Sequence, residues 1–259
     1  MTTVSDRPAG QTEPQRSILD RVFAMELASA EYERFADVVA GLSGDDWGKQ
    51  TDCPDWDVRQ LACHVVGMAE LAADQSEGDR QRGMAFAGEP ANGGDFTDAL
   101  TALQVRERET CLSADVVAGL RDVGPRATVG REQTPAAALD AEMPLPFELN
   151  GRLEWWTIGY LIDVILTRDV WMHRVDLCRA TGRSMTLTPE HDGVIVADVV
   201  AEWAHRHGET YRLTLTGPAG ADFSAGHDGQ TLELDAVEFC RIVSGRGTAD
   251  GLLATHVPF

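Results

Sequence analysis

The sequence is poor in basic residues and in patterned cysteines. Lys and Arg together number 22 against 42 Asp and Glu, which gives a formal net charge of -20. Nucleic acids and anionic membranes repel a surface of their own sign, so this balance disfavours both as partners. The five cysteines are odd in number and form no CxxC pair, which indicates reduced thiols in a cytoplasm. We interpret each as a small core residue: Cys53, Cys63, Cys111, Cys178 and Cys240.

Long apolar runs are missing as well. No stretch approaches the length of a membrane span. Residues 1–16 are polar and lack the apolar core of a signal peptide, so we predict a disordered tail there. No glycine-rich phosphate loop and no Ser-His-Asp order is recognisable. With 259 residues, 43% of them hydrophobic, the chain is nevertheless long enough to bury a substantial core.

Apolar residues at helical spacing dominate the first two thirds of the chain. They predict helices over 18–42, from Asp55 to about 74, over 96–120 and over 154–181. The segments 76–95 and 121–151, rich in Gly, Pro or charge, read as loops. A helix over 189–204 and short strands over 211–216, 221–225 and 230–234 follow. The pattern predicts an α+β protein, with a helical bundle over 17–185 and a small α/β domain over 186–259.

The most informative stretch is TRDVWMHRVDLCRATGR, which begins at Thr167. Asp169 and His173 are four residues apart, so both side chains lie on one helix face and reach one point. The surrounding helix carries two apolar stripes and is therefore buried on two sides. A converging carboxylate and imidazole suit a divalent metal. A buried Asp–His hydrogen bond or an Asp–Arg pair explains the same pattern. Asp176, one turn on, is placed to orient His173.

His64 lies at the edge of the apolar stripe of the second predicted helix. From that position it points either into a cavity of the bundle, as a third metal ligand, or to a backbone carbonyl that it hydrogen-bonds. The spacing of the residues leaves both readings open.

Three stretches resemble the mycothiol-dependent maleylpyruvate isomerase family, whose N-terminal domain is a DinB-like metal-binding four-helix bundle. They are TDCPDWDVRQLACHVVG, RDVWMHRVDLCRATGR and SGRGTADGLL, in the family's order. The resemblance implies that His64, Asp169 and His173 bind a divalent metal, expected to be zinc. It also implies that Arg246 serves the active site. Two positions depart from the family: Asp55 stands where Gly is common, and Asp169 stands where the isomerases commonly have Glu.

The chemistry follows from the type of site that the resemblance implies. Three protein ligands leave a position open, where a thiol would ionise and attack an electrophilic carbon. We therefore expect a monomeric or homodimeric, mycothiol-using isomerase or S-transferase that acts on a small electrophile such as an unsaturated acid. Arg246 either binds a substrate carboxylate through its planar fork or is a surface arginine near a turn. Two alternatives remain: a non-catalytic protein that binds a small ligand or a partner, and a metal-dependent hydrolase that uses bound water.

Overall fold

The computed structural model describes Gln15 and residues 17–88, 95–149 and 151–259. The disordered tail predicted over residues 1–16 lies outside the described residues, apart from Gln15. The architecture is α+β, as predicted, with a helical N-terminal region and small sheets. Within the described residues, no helix is both long and apolar enough to cross a membrane.

Among the described residues, four helices form the N-terminal bundle, and the other helices of this region lie around it. In chain order the helices of this region are α1 (Arg21–Ala40), α2 (Val58–Ala73), α3 (Gln75–Gly88), α4 (Phe96–Glu107), α5 (Ser113–Glu132), the single turn α6 (Ala136–Leu139), α7 (Ile158–Tyr160) and α8 (Leu166–Thr181). Helices α1, α2, α5 and α8 contact one another as the bundle, whereas α3 and α4 pack against α2. A π-helical turn, Leu161–Ile165, joins α7 to α8.

The remaining elements form two small sheets and the C-terminal helices. Strands β1 (Phe147–Leu149) and β2 (Arg152–Glu154) form an antiparallel hairpin. After a π-helical turn (Pro189–Gly193) come α9 (Val194–His207), β3 (Tyr211–Thr216), β4 (Asp222–Ala225), β5 (Gln230–Asp235), α10 (Ala236–Val243) and a 3-10 turn (Gly251–Ala254). The sheet order is β4-β3-β5, with β4 antiparallel and β5 parallel to β3. The three strands predicted from alternation are thereby confirmed.

The start of α2 differs from the prediction. Asp57, and not Asp55, is the N-cap: its carboxylate accepts from the backbone N–H of Gln60, whose side chain accepts from the N–H of Asp57. This reciprocal pair requires a partner three residues after the cap, and Gln60 supplies it for Asp57. Asp55 therefore remains in the turn before the helix.

Both segments predicted as loops contain helix. Helix α3 occupies most of 76–95, and α5 runs through Gly124 and Pro125 to Glu132, so the helix predicted over 96–120 is two helices. In these segments, packing against the other helices outweighs the low helix propensity of the Gly and Pro residues. A Cβ added at Gly124 would lie 2.9 Å from Cβ of Tyr32 on α1, so the glycine that suggested a loop instead permits a close helix–helix contact.

Helix α8 belongs to two apolar clusters. Val170 and Leu177 pack among α1, α2 and α5 in what we call the bundle core. Trp171, Met172 and Val175 pack with α9, α10 and the three-stranded sheet in the C-terminal core. The predicted burial of this helix on two sides is confirmed. The domain boundary near residue 185 stays a prediction, since helices on its N-terminal side contribute to the C-terminal core.

Candidate functional site

His64, Asp169 and His173 meet at one point between α2 and α8. One ligand atom of each lies within 4.8 Å of those of the other two. The Asp169 carboxylate stands between the imidazoles, with Oδ1 3.2 Å from His173 Nε2 and Oδ2 3.7 Å from His64 Nε2. Both imidazoles are buried, and the Asp169 side chain is 22% exposed. The structure thus brings together the three residues expected from the sequence.

Local structure explains how α8 presents its two residues. Their spacing of four puts them one above the other on a regular helix. The π-helical turn Leu161–Ile165 ends just before α8 begins, and such turns are frequent next to functional sites because they shift the register of the helix face.

The second nitrogen of each imidazole also has a partner. His64 Nδ1 lies 2.8 Å from Oε1 of Gln104, and His173 Nδ1 lies 3.3 Å from Oδ2 of Asp176. The carboxylate of Asp176 can only accept, so His173 Nδ1 is the donor there, whereas the direction of the His64 bond follows from the orientation of the Gln104 amide. The Nε2 atoms then face Asp169, which is the orientation that a shared ligand requires. The predicted role of Asp176 in orienting His173 agrees with this geometry.

Burial and charge attraction oppose each other in the titration of the Asp169–His173 pair. Burial is the largest single influence on each pKa and disfavours both charged forms, but the combined effect of their mutual attraction and of the hydrogen bonds to each group outweighs it. This combined effect raises the pKa of His173 well above its usual value and holds the pKa of Asp169 well below its own. The Asp169–His173 contact considered from the sequence is therefore present, and the same atoms also belong to the group of three potential metal ligands.

An open cleft of about 630 Å³ has Cys53, Trp56 and Arg246 in its lining, and it approaches His64 and His173 through Trp56. Its wall is formed by the loop before α2, by α4 and by the turn after α10. Trp56 in this wall has its ring centroid 4.8 Å from that of His64 and 5.9 Å from that of His173. The indole therefore covers both imidazoles on the side of the cleft.

Arg246 lies in the cleft wall and is held by Asp176. Its Nε is 3.0 Å from Oδ1 of Asp176, and its Nη2 is 3.0 Å from Oδ2. Asp176 is fully buried and also accepts from His173. Burial would raise the pKa of Asp176, but its bond to His173 and its attraction to Arg246 lower it. Asp176 thus links the cleft arginine to an imidazole of the site.

Cys53 is a site residue that the sequence reasoning missed. Its Sγ lies 3.6 Å from Oδ2 of Asp176 and 3.9 Å from Nη2 of Arg246, and the residue lines the cleft. Cys53 is only partly buried: it packs against the bundle core on one side and lines the cleft on the other, whereas Cys63, Cys178 and Cys240 are buried. Its place three residues before Trp56, within the stretch CPDW, was the available signal.

The mouth of the cleft is acidic. Asp55 and Asp98 are exposed residues of its lining. Burial and the neighbouring carboxylates of Asp95 and Asp55 raise the pKa of Asp98. Asp52, also in the lining, is paired with Arg179 and Arg241.

The chain is similar to a known family and to solved structures. The family model described as mycothiol maleylpyruvate isomerase N-terminal domain matches residues 28–178. The crystal structures of the mycothiol-dependent maleylpyruvate isomerase and of its histidine-to-alanine mutant each show 17% identity and a TM-score of 0.54, over 92% of this chain and 93% of theirs. This likeness shows a shared fold. No match was found among curated proteins. Because the family model covers more than half of the 259 residues, the chain belongs to the mycothiol maleylpyruvate isomerase family.

Proposed function

We propose that this protein is a metal-dependent enzyme that uses mycothiol to isomerise a small electrophilic substrate, such as an unsaturated acid, or to transfer the thiol to it. The observation that carries the proposal is the convergence of His64, Asp169 and His173 next to Trp56, which lines an open cleft. Membership of the family supports the thiol, and the donor set supports zinc as the metal.

The geometry of the three residues fits a metal ion. Two imidazole nitrogens and a carboxylate oxygen are a donor set that zinc takes in catalytic sites. Ligand atoms about 2.1 Å from one ion at tetrahedral angles are roughly 3.4 Å apart. Asp169 Oδ1 lies 3.2 Å from His173 Nε2 and Asp169 Oδ2 lies 3.7 Å from His64 Nε2, so each imidazole is near this separation from one of the two carboxylate oxygens.

Side chains of the cleft supply binding and orientation. A bound ion would lower the pKa of a thiol in its open position. Trp56 limits the access of water to the imidazoles. The bonds from Arg246 to Asp176 use Nε and Nη2, and Nη1 makes one 3.4 Å contact, to Ser244 Oγ. A second Nη1 hydrogen is therefore available for a substrate carboxylate.

Metal analysis tests the metal centre. Protein purified without added metal is expected to carry about one zinc per chain, and His173→Ala is expected to lose it because an ion then keeps only two protein ligands. His227→Ala, at an exposed histidine, is the matched control and should keep the metal. Substoichiometric metal in the wild type, or unchanged metal in His173→Ala, would contradict the proposal.

Turnover with and without thiol separates the remaining alternatives. Conversion of an electrophile such as maleylpyruvate should require mycothiol and stop when the thiol is omitted. Turnover with water alone would instead favour a metal-dependent hydrolase. Ligand binding without turnover under both conditions would favour a non-catalytic binding protein.

A further inference from the structure

Two fully buried glutamines lie behind His64. Gln104 on α4 and Gln81 on α3 each have 0% exposure. A buried amide is unfavourable unless its hydrogen bonds are satisfied, so the partners of these side chains indicate what the amides do. The amides bond to each other, to His64, to Glu77 and to the backbone of α2, and Gln104 Nε2 also lies 3.1 Å from the sulfur of Met68.

The hydrogen bonds form a continuous chain that starts at a backbone carbonyl. Gln81 Nε2 donates to the carbonyl oxygen of Gly67 at 3.1 Å and to Oε1 of Glu77 at 2.9 Å. Gln104 Nε2 donates to Gln81 Oε1 at 2.9 Å. Gln104 Oε1 then lies 2.8 Å from His64 Nδ1.

The carbonyl fixes the direction of every bond in this chain. Gly67 O can only accept, so Gln81 presents its NH2 group there and its oxygen to Gln104. Gln104 must then present its NH2 group to Gln81 and its oxygen to His64. Flipping either amide would bring two donors or two acceptors face to face. An oxygen opposite Nδ1 requires a hydrogen on that nitrogen, which leaves the lone pair of a neutral imidazole on Nε2.

We propose that Gln81 and Gln104 are positioning residues that hold His64 in the tautomer protonated on Nδ1, and so keep Nε2 available as a metal ligand. We call the hydrogen-bond chain from Gly67 O through Gln81 and Gln104 to His64 the relay. Its role in metal binding rests on the proposed metal site, whereas the tautomer of His64 does not depend on that proposal. The relay also assigns a task to α3 and α4, which pack against α2 outside the bundle, because each contributes one amide.

Gly67 has a second part in the same arrangement. A Cβ built at Gly67 would lie 2.5 Å from Cγ and 2.6 Å from Cβ of Gln104. These atoms are close to the backbone of α4 and cannot move aside easily. The absence of a side chain at Gly67 therefore lets Gln104 come near enough to reach His64.

Nitrogen NMR of histidine and zinc competition test the relay. The metal-free wild type is expected to show His64 protonated on Nδ1. In Gln104→Met, which keeps the length of the side chain without the amide, the tautomer should become mixed. Zinc affinity, measured against a chromophoric chelator, should fall about 10- to 100-fold, the usual effect of removing a partner of a ligating imidazole. Gln133→Met, at an exposed amide on the C-cap of α5, should change neither readout.

Two further variants separate positioning from loss of folding. Gln104→Glu retains an acceptor opposite Nδ1 and should restore the tautomer, while its other carboxylate oxygen faces Gln81 Oε1 and should lower the stability of the protein. Gln81→Met does not touch His64, yet it should also mix the tautomers because Gln104 is then free to flip. An unchanged His64 tautomer in folded Gln104→Met, or zinc affinity within twofold of wild type, would overturn the proposal. A relay-dependent tautomer in a protein that binds no zinc would support the relay and contradict the proposed metal function.

Discussion

At the scale of single residues, Gly67 has no room for a Cβ beside Gln104, and its substitution gives the first prediction. Gly67→Ala should destabilise the protein by about 1–3 kcal/mol, because the added methyl group overpacks the contact with Gln104. It should also weaken zinc binding, because Gln104 is displaced from the imidazole. Urea unfolding and zinc competition measure the two effects.

Gly83 provides the matched control on the neighbouring helix. A Cβ added there meets nothing within 4 Å, so Gly83→Ala should be neutral or stabilise α3 by up to about 1 kcal/mol. Equal stability of the two variants would contradict the steric explanation.

The partial exposure of Cys53 in the cleft predicts selective alkylation. Iodoacetamide should modify Cys53 and Cys111, which are partly exposed, and spare the buried thiols. Burial raises the pKa of Cys63 to about 11 and raises that of Cys178, which lowers their reactivity further. Modification at Cys53 should block the cleft and abolish thiol-dependent turnover. Peptide mass spectrometry and activity measured over the same time course check this.

The contribution of Cys111 can be removed separately. The variant Cys111→Ser should be inactivated by iodoacetamide at the same rate as the wild type. Two results would contradict alkylation of Cys53 as the cause of inactivation. One is that Cys111→Ser is no longer inactivated; the other is that Cys53 stays unmodified while the wild type loses activity.

The candidate site was predictable only where its residues are close in sequence or match the family. Asp169 and His173 share one helix face, so their spacing alone predicts that they converge. Gln104 and Cys53 reach the site from separate elements, and no local pattern encodes which helix packs against which. The assignment of His64 required the resemblance to the family, because a histidine at the edge of an apolar stripe suits several environments.

At the scale of elements, a buried ion network joins α1, α8 and the turn before α9. Arg174 of α8 makes a bidentate pair with Glu31 of α1 at 2.6 and 2.9 Å. The same guanidinium donates to Asp192 at 2.6 Å, and His191 lies 2.7 Å from Glu31. All four side chains are buried. The network is complete only when the three elements are docked together.

Removing one member of this network should be strongly destabilising. Glu31→Ala leaves the Arg174 guanidinium buried with half of its compensating charge, so the free energy of unfolding should fall by about 3–5 kcal/mol. Urea unfolding measures it. Asp122→Ala, which breaks the exposed pair with Arg126, is the control and should leave stability unchanged. If Glu31→Ala lowered the free energy of unfolding no more than Asp122→Ala does, the buried network would stabilise the protein no more than an exposed ion pair.

Some helix ends have a local chemical signal, whereas others depend on packing. Gly182 ends α8 in the left-handed conformation, and the side chain of Asp235 caps α10; both residue types are common at these positions. Helix α3 has few apolar residues, so its sequence resembles a loop. Its buried side, which includes Gln81 and Ala85, becomes apparent only against α2 and α4.

At the scale of the whole molecule, the charge of -20 and the acidic cleft mouth predict how turnover depends on salt. For an anionic electrophile, kcat/KM should rise with ionic strength between about 0.01 and about 0.15 M, because salt screens the repulsion by Asp55 and Asp98. A neutral electrophile should show no such rise. Stopped-flow or steady-state rates at several salt concentrations measure the two slopes.

Charge-removing variants locate the source of the effect. Asp55→Asn should reduce the salt slope for the anion, whereas Asp122→Asn, at an exposed position of α5 outside the cleft, should reduce it much less. Equal slopes in the two variants would attribute the repulsion to net charge and not to the cleft.

The position of α8 between two cores has a consequence for how proteins of this kind can be recombined. A chimera that joins this bundle to another C-terminal half would keep Trp171 and Val175 but lose the surfaces they pack against. The apolar side of α8 would then be exposed to water and prone to association. Successful exchange therefore requires the outward residues of α8 to be transplanted with the incoming half. In related proteins, we expect the residues at these positions of α8 to change together with the residues of the C-terminal half that they contact.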